Sequence, residues 1–152
     1  MSLVALSAFI GLPYLFLRLT PDFLAYDIGA FRWLGLISFL PGLALVVYTG
    51  YSFIHHGKGT PAPFDPPKAL VVKGPYRIVR NPMYVGAVSI LIGESIILQS
   101  LPILFYALAM WLLFHLFVIY YEEPNLRKRF GATYEEYCRT VPRWVPKLTV
   151  RR

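Results

Sequence analysis

From Met83 to Tyr121 the chain runs for 39 residues with one formal charge, Glu94. Two shorter stretches, Met1 to Leu17 and Trp33 to Ile54, carry none at all. Crossing a hydrocarbon core about 30 Å thick takes about 20 apolar residues in a helix, so each of the two shorter runs matches one crossing. The longest run is twice that, and Gln99, Ser100 and Pro102 interrupt it near its middle, where a tight turn can join two antiparallel helices. The pattern therefore predicts four transmembrane helices, at about 2–19, 31–54, 83–99 and 101–122, in a single all-α, multi-pass membrane domain. Pro41 and Gly42 inside the second run predict a kink that a membrane helix tolerates. The first run has no basic start and contains Pro13, which favours a mature span over a cleaved leader.

Composition excludes the main alternatives. With 57% hydrophobic and only 15% charged residues, the chain is too apolar for an ordinary soluble globule. Aromatic residues make up 16%, which excludes an intrinsically disordered chain. The single cysteine, Cys138, permits neither an internal disulfide nor a cysteine-based metal cage, and no metal is expected.

The formal charge of +7 would suit a nucleic-acid partner if it were spread over a soluble surface. Instead it falls in two segments. Lys58, Lys68, Lys73, Arg77 and Arg80 lie between the second and third spans, and eight more basic residues follow Tyr121, ending in Arg151 and Arg152. The positive-inside rule places both segments, and with them both termini, in the cytoplasm. Anionic lipid is then the expected partner of the excess charge, and no nucleic acid is expected. Gly57 to Pro67 is too rich in Gly and Pro for regular structure and reads as a loop. In the tail, Leu126, Phe130, Tyr134, Tyr137 and Val141 recur at helical spacing, predicting an amphipathic cytoplasmic helix at the membrane interface, interrupted near Gly131 and ended by Pro142 and Pro146 around Trp144.

Two motifs within this frame carry a family resemblance. Gly74-Pro75-Tyr76-Arg77-Ile78-Val79-Arg80-Asn81-Pro82-Met83-Tyr84-Val85-Gly86 comes first. After a helical hairpin come Glu122-Glu123-Pro124-Asn125-Leu126, Phe130-Gly131, Tyr134 and Tyr137. Together they resemble the C-terminal core of the integral-membrane methyltransferases, a superfamily that includes isoprenylcysteine carboxyl methyltransferase and the phospholipid N-methyltransferases. The likeness covers about residues 57–146. It implies S-adenosylmethionine as methyl donor, bound at the cytoplasmic ends of the last two helices under the tail, with a lipophilic acceptor entering from the bilayer. Carried onto this sequence, the cofactor-binding positions are Leu70, Val71, Gly74, Pro75, Tyr76, Asn81, Pro82, Tyr84, Glu122 and Glu123.

The chain departs from that pattern in two places. Asn81 stands where the superfamily has a histidine; an amide hydrogen-bonds but does not titrate, which argues against proton transfer there. Apolar Phe117, Val118 and Ile119 occupy the stretch where the isoprenylcysteine enzymes carry a substrate-associated arginine. The acceptor is therefore expected to be a phospholipid-like amine or another small lipophilic nucleophile rather than an isoprenylcysteine carboxylate.

Residue chemistry adds candidates of its own. An acidic pair at a helix end can hold a cofactor's ammonium or hydroxyls, or simply neutralise Arg127 or Arg129 on the next turn. Consecutive helical residues point about 100° apart, so only one of the two carboxylates, taken as Glu122, should face the site. Seven residues separate His115 from Glu122, and folding the hairpin about its turn brings His115 to the depth of Tyr84. Tyr84, His115 and Glu122 are thus expected to converge, with Tyr84 and His115 as catalytic candidates and His115 as a base or acceptor-orienting group. The alternative for His115 is a buried ring bonded to a neighbouring helix. Glu94 falls near the outer turn and reads as a structural carboxyl, protonated or bonded to tyrosine, with Gly86 and Gly93 allowing close helix approach. His55 and His56 read as interfacial. Two other functions compete: a small proton-coupled exporter centred on Glu94, and a non-catalytic membrane assembly factor keeping the same fold.

Overall fold

The computed structural model describes residues 11–19, 25–57, 70 and 72–146; expectations for residues 1–10, for most of the Gly/Pro-rich loop, for Val71 and for residues 147–152 lie outside them. The described residues form helices α1 (Leu12–Leu19), α2 (Leu36–Gly57), α3 (Pro82–Ile97), α4 (Leu101–Phe117), α5 (Glu123–Phe130) and α6 (Ala132–Thr140). A 3-10 segment, Gly29–Gly35, leads into α2, a 3-10 turn, Gly74–Arg77, precedes α3, and a π-helical turn, Val118–Glu122, joins α4 to α5. Two continuous helical runs, Gly29–Ser52 and Leu101–Phe130, are long and apolar enough to cross a membrane. Only 11% and 17% of their most apolar windows are buried, unlike the core helix of a soluble protein. The third apolar helix, Pro82–Ile97, is shorter.

The fold divides into two units, Met1–Ala44 with Gly86–Leu113, and Leu45–Val85 with Phe114–Arg152. In the first, α2 and α3 approach through glycines. A Cβ at Gly35 would lie 2.6 Å from the Gly93 carbonyl oxygen, and one at Gly42 would lie 2.8 Å from that of Gly86. The Ser38 hydroxyl sits between these contacts and donates to the Ser89 carbonyl at 2.9 Å. Glycines seven residues apart on each helix thus let the backbones touch, the small-residue packing expected where lipid supplies no hydrophobic drive. The expectation for Gly86 and Gly93 is met, and their partners are Gly42 and Gly35.

The turn after α3 is Leu98–Ser100, as the sequence indicated, with Gln99 at φ +54°. Local bonds hold Gln99 in that left-handed conformation: its carbonyl accepts the Tyr26 amide at 3.1 Å and its side-chain oxygen accepts the Ile28 amide at 2.7 Å. The Tyr26 hydroxyl donates to the Ser95 carbonyl at 2.9 Å. In the same unit, Oε2 of Glu94 is buried without a hydrogen-bond partner, so the expected tyrosine bond is not made at that oxygen.

In the second unit, the tail helix α6 packs Tyr134 and Tyr137, with Val141 beyond it, into a small core against Leu70, Leu126, Phe130 and Cys138. This is the face the spacing predicted, broken at Gly131 (φ +51°), where only glycine turns the chain without strain. Gly74 (φ +54°) opens the 3-10 turn, and a Cβ there would also meet the Tyr48 hydroxyl at 2.6 Å. Pro82 opens α3 at the helix position that tolerates a missing amide.

Because backbone atoms cannot yield as a side chain's end can, Gly93→Val is expected to cost about 1–3 kcal/mol. Gly50, with nothing within 4 Å of an added Cβ, is the control. Thermal unfolding in detergent should show a clear loss for Gly93→Val and none for Gly50→Ala.

Candidate functional site

The π-helical turn sets the geometry of the site. Pro124 has no amide hydrogen, and its ring would collide with the carbonyl four residues back in a regular helix. The chain widens just before it, and the Glu123 amide bonds to the Val118 carbonyl five residues back. As a result Glu122 and Glu123 both line one cavity of the second unit, with Leu70, Tyr76, Arg80, Asn81, Val118, Leu126, Tyr134 and Tyr137. The expectation that only one carboxylate would face the site assumed a regular α-helix, and the extra residue in this turn removes that restriction.

The two carboxylates have different partners. Glu123, only 3% exposed, receives Arg143 Nε at 2.6 Å and Nη2 at 3.0 Å, Arg80 Nη1 at 3.3 Å and Arg127 Nη1 at 3.5 Å. Its hydrogen bond raises Arg143 above the ordinary guanidinium value. Neutralising Arg127 is one of the roles weighed for the acidic pair, and Glu123 performs it. Glu122 has no cation beside it among the described residues; the Tyr84 hydroxyl donates to its Oε2 at 3.2 Å. Tyr84 in turn stacks on Phe114, with centroids 4.7 Å apart, as the hairpin arithmetic requires.

Arg80 lines the cavity with its side chain 10% exposed. One terminal nitrogen contacts Glu123 and Cys138, while its Nε–H is buried with no acceptor. A buried, unsatisfied charged donor is costly and marks a place where a ligand acceptor belongs. Burial, the largest influence on each, pushes the phenols of Tyr76, Tyr134 and Tyr137 above their usual value, so they remain neutral donors. The Tyr137 hydroxyl donates to the Tyr76 carbonyl at 2.6 Å and fixes the loop before α3.

Among the remaining expected residues, Leu70, Tyr76 and Asn81 line the cavity. Asn81 is buried, and its amide nitrogen donates to the Arg143 carbonyl at 3.3 Å. Gly74, Pro75 and Pro82 shape the backbone instead, the Pro75 carbonyl accepting the Ile78 and Val79 amides at 3.0 and 3.1 Å. Tyr84 reaches the cavity through Glu122. His115 is not among the cavity-lining residues; its half-buried ring accepts the Trp144 indole N–H at Nδ1, at 3.0 Å, from a bend in the tail rather than from a neighbouring helix. An indole nitrogen only donates, so Nδ1 carries no proton and is engaged in that bond. Arg80, Arg143 and Tyr134 were not singled out as site residues. Arg80 and Arg143 were counted as topological charge and Tyr134 as part of the tail helix's amphipathic face and of the second motif, and only their shared contacts mark them as site residues.

The cavity walls are mostly apolar, with one arginine, two carboxylates, an asparagine and three tyrosines among the side chains that line them. Comparison with known proteins specifies the class. The phospholipid methyltransferase family matches residues 30–133, and the chain belongs to that family, within the integral-membrane methyltransferases. It is 31% identical over 119 residues to a probable protein-S-isoprenylcysteine O-methyltransferase of Oryza sativa subsp. indica, covering 75% of this chain and 60% of that protein. It is 32% identical over 117 residues to protein-S-isoprenylcysteine O-methyltransferase A of Arabidopsis thaliana (74% and 57%), and 31% over 127 residues to the Schizosaccharomyces pombe enzyme (83% and 52%). The chain thus spans between half and two thirds of the length of these relatives.

Removing the carboxylate that three arginines share leaves Arg80 and Arg143 buried or half-buried without a counter-ion. Glu123→Ala is expected to cost about 3–5 kcal/mol. Arg127→Ala, which removes a partner 44% exposed, should cost less than about 1 kcal/mol. Unfolding midpoints of the two variants check the order.

Proposed function

We propose that this protein transfers a methyl group from S-adenosylmethionine to a lipophilic or amphipathic acceptor at the membrane. The observation carrying this reading is a pair of side chains lining one cavity: Arg80, whose buried Nε–H has no acceptor, and Glu122, whose carboxylate has no cation beside it among the described residues. An amino-acid end bearing both a carboxylate and an ammonium complements that pair, and the donor of a methyltransferase carries such an end. Arg80 would hold the carboxylate and Glu122, oriented by Tyr84, the ammonium. Tyr76 offers a neutral hydroxyl and an aromatic face to the rest of the ligand.

When bound, S-adenosylmethionine supplies a methyl group already activated on a sulfonium. The residues are left to align the acceptor and exclude water. A carboxylate acceptor would need a buried cation of its own. Among the described cavity residues Arg80 is the only basic one, and both it and Arg143 are engaged with Glu123. Phe117, Val118 and Ile119 add no charge nearby. An amine or another uncharged lipophilic nucleophile therefore suits the site better than an isoprenylcysteine carboxylate. With Nδ1 committed to Trp144, His115 serves to orient groups around it rather than to remove a proton through that nitrogen. The basic segments support a four-span topology with both termini and the site on the cytoplasmic side.

Calorimetry with S-adenosylmethionine on detergent-solubilised protein tests the donor site. Glu122→Ala should abolish measurable binding and Tyr84→Phe should weaken it several-fold, while Glu94→Gln should bind as wild type does. An unchanged isotherm for Glu122→Ala would overturn the assignment. Incubation with methyl-labelled donor and a total lipid extract identifies the acceptor; label confined to carboxyl esters would refute the preference for an amine.

A further inference from the structure

The tail segment after α6 meets the cavity wall at several points. The Arg80 amide donates to the Pro142 carbonyl at 2.9 Å and the Asn81 side chain to the Arg143 carbonyl at 3.3 Å. The Arg143 guanidinium then grips both oxygens of Glu123, at 2.6 and 3.0 Å. Arg143 is not itself among the cavity-lining residues. What it touches is the carboxylate that also binds Nη1 of Arg80.

From this chain of contacts we infer that Arg143 is a positioning residue for Arg80. Without Arg143, Glu123 keeps only the single-point contacts of Arg80 and Arg127, at 3.3 and 3.5 Å, which fix a carboxylate's rotation less tightly than a two-point grip. With Arg143 filling Glu123 in the two-point geometry favoured by guanidinium and carboxylate, only the lateral position at Oε1 remains for Arg80 Nη1. The remaining terminal contact of Arg80, to Cys138, restrains the head of the side chain further. Its Nε–H is left as a buried donor without an acceptor, on a side chain that lines the cavity. The order of action is Arg143 to Glu123 to Arg80 to ligand carboxylate. Glu123, though it lines the cavity, acts on the ligand through Arg80, and Glu122 is the carboxylate that meets the ligand directly.

This inference rests on the donor-site reading above, and the test separates the two. S-adenosylhomocysteine carries the amino-acid end; 5′-methylthioadenosine has the same nucleoside and sulfur without it. Arg143→Gln leaves Glu123 with Arg80 and Arg127, so the second unit keeps a counter-ion for that carboxylate. The expected result is a loss of about tenfold in S-adenosylhomocysteine affinity, with 5′-methylthioadenosine affinity changed less than about twofold. Arg80→Lys should reproduce that split, and Arg143→Lys, which keeps the charge and loses the two-point grip, should recover only part of it. Equal loss of both ligands in Arg143→Gln would make Arg143 a general structural support and overturn the inference, as would unchanged binding of both. If wild-type protein bound neither ligand, the donor-site reading itself would fall.

Discussion

One buried carboxylate organises the part of the molecule that carries the candidate site. Glu123 gathers an arginine from the segment before α3, one from α5 and one from the tail, all within hydrogen-bonding or ion-pair distance. A carboxylate 3% exposed is stable there only because several donors replace its water, since removing an ion from water costs several kcal/mol. Segments distant in sequence are therefore joined by charge, where the surrounding apolar helices provide no directional preference. The tyrosine core beside it supplies area, and Glu123 supplies the register in which Arg80, Asn81 and the tail meet.

The same saturation explains why the two adjacent acids differ. Three guanidinium groups leave Glu123 no capacity for an external cation, whereas Glu122 has a phenol as its partner and no cation among the described residues. Sequence adjacency would make these residues equivalent, and the π-helical turn places them on one wall. Their partners then separate a carboxylate saturated by arginines from one that meets a single phenol. Pro124 is the origin of both effects, because it removes the amide that would have closed a regular turn.

Much of this was legible in the sequence, for identifiable reasons. Uninterrupted apolar runs located α2, α3 and α4, and a polar break at Gln99 and Ser100 located the turn. The spacing of Tyr134, Tyr137 and Val141 gave the buried face of the tail. The depth relation across the hairpin predicted His115 at about the depth of Tyr84. It named His115, whereas the structure presents Phe114 to Tyr84 and turns His115 toward Trp144. Depth follows from counting residues, but the direction of a side chain around the helix depends on the neighbours it meets. The π-helical turn was similarly hidden, because periodicity arguments assume a constant 3.6 residues per turn. Arginine roles were the least legible: a basic residue in a basic segment fits the positive-inside pattern equally well whether it faces lipid headgroups or a buried acid.

That last ambiguity bears on the substrate. Counted as free charge, the arginines around the motifs would make an inviting site for an anionic acceptor. Counted after their partners, Arg80 and Arg143 are committed to Glu123, and Arg127 is shared between Glu123 and Glu135, with 2.7 Å to the latter. On the reading proposed above, that balance favours a cationic or neutral ligand, since Glu122 is the acidic group left without a cation among the described residues. On the donor-site reading proposed above, a carboxylate acceptor would compete with the donor's own carboxylate for Arg80, the one basic side chain among the described cavity residues, and would lie near two acidic groups. Electrostatic repulsion of that kind discriminates between acceptors more sharply than the apolar walls can, because a hydrophobic pocket accepts any lipid tail of suitable width.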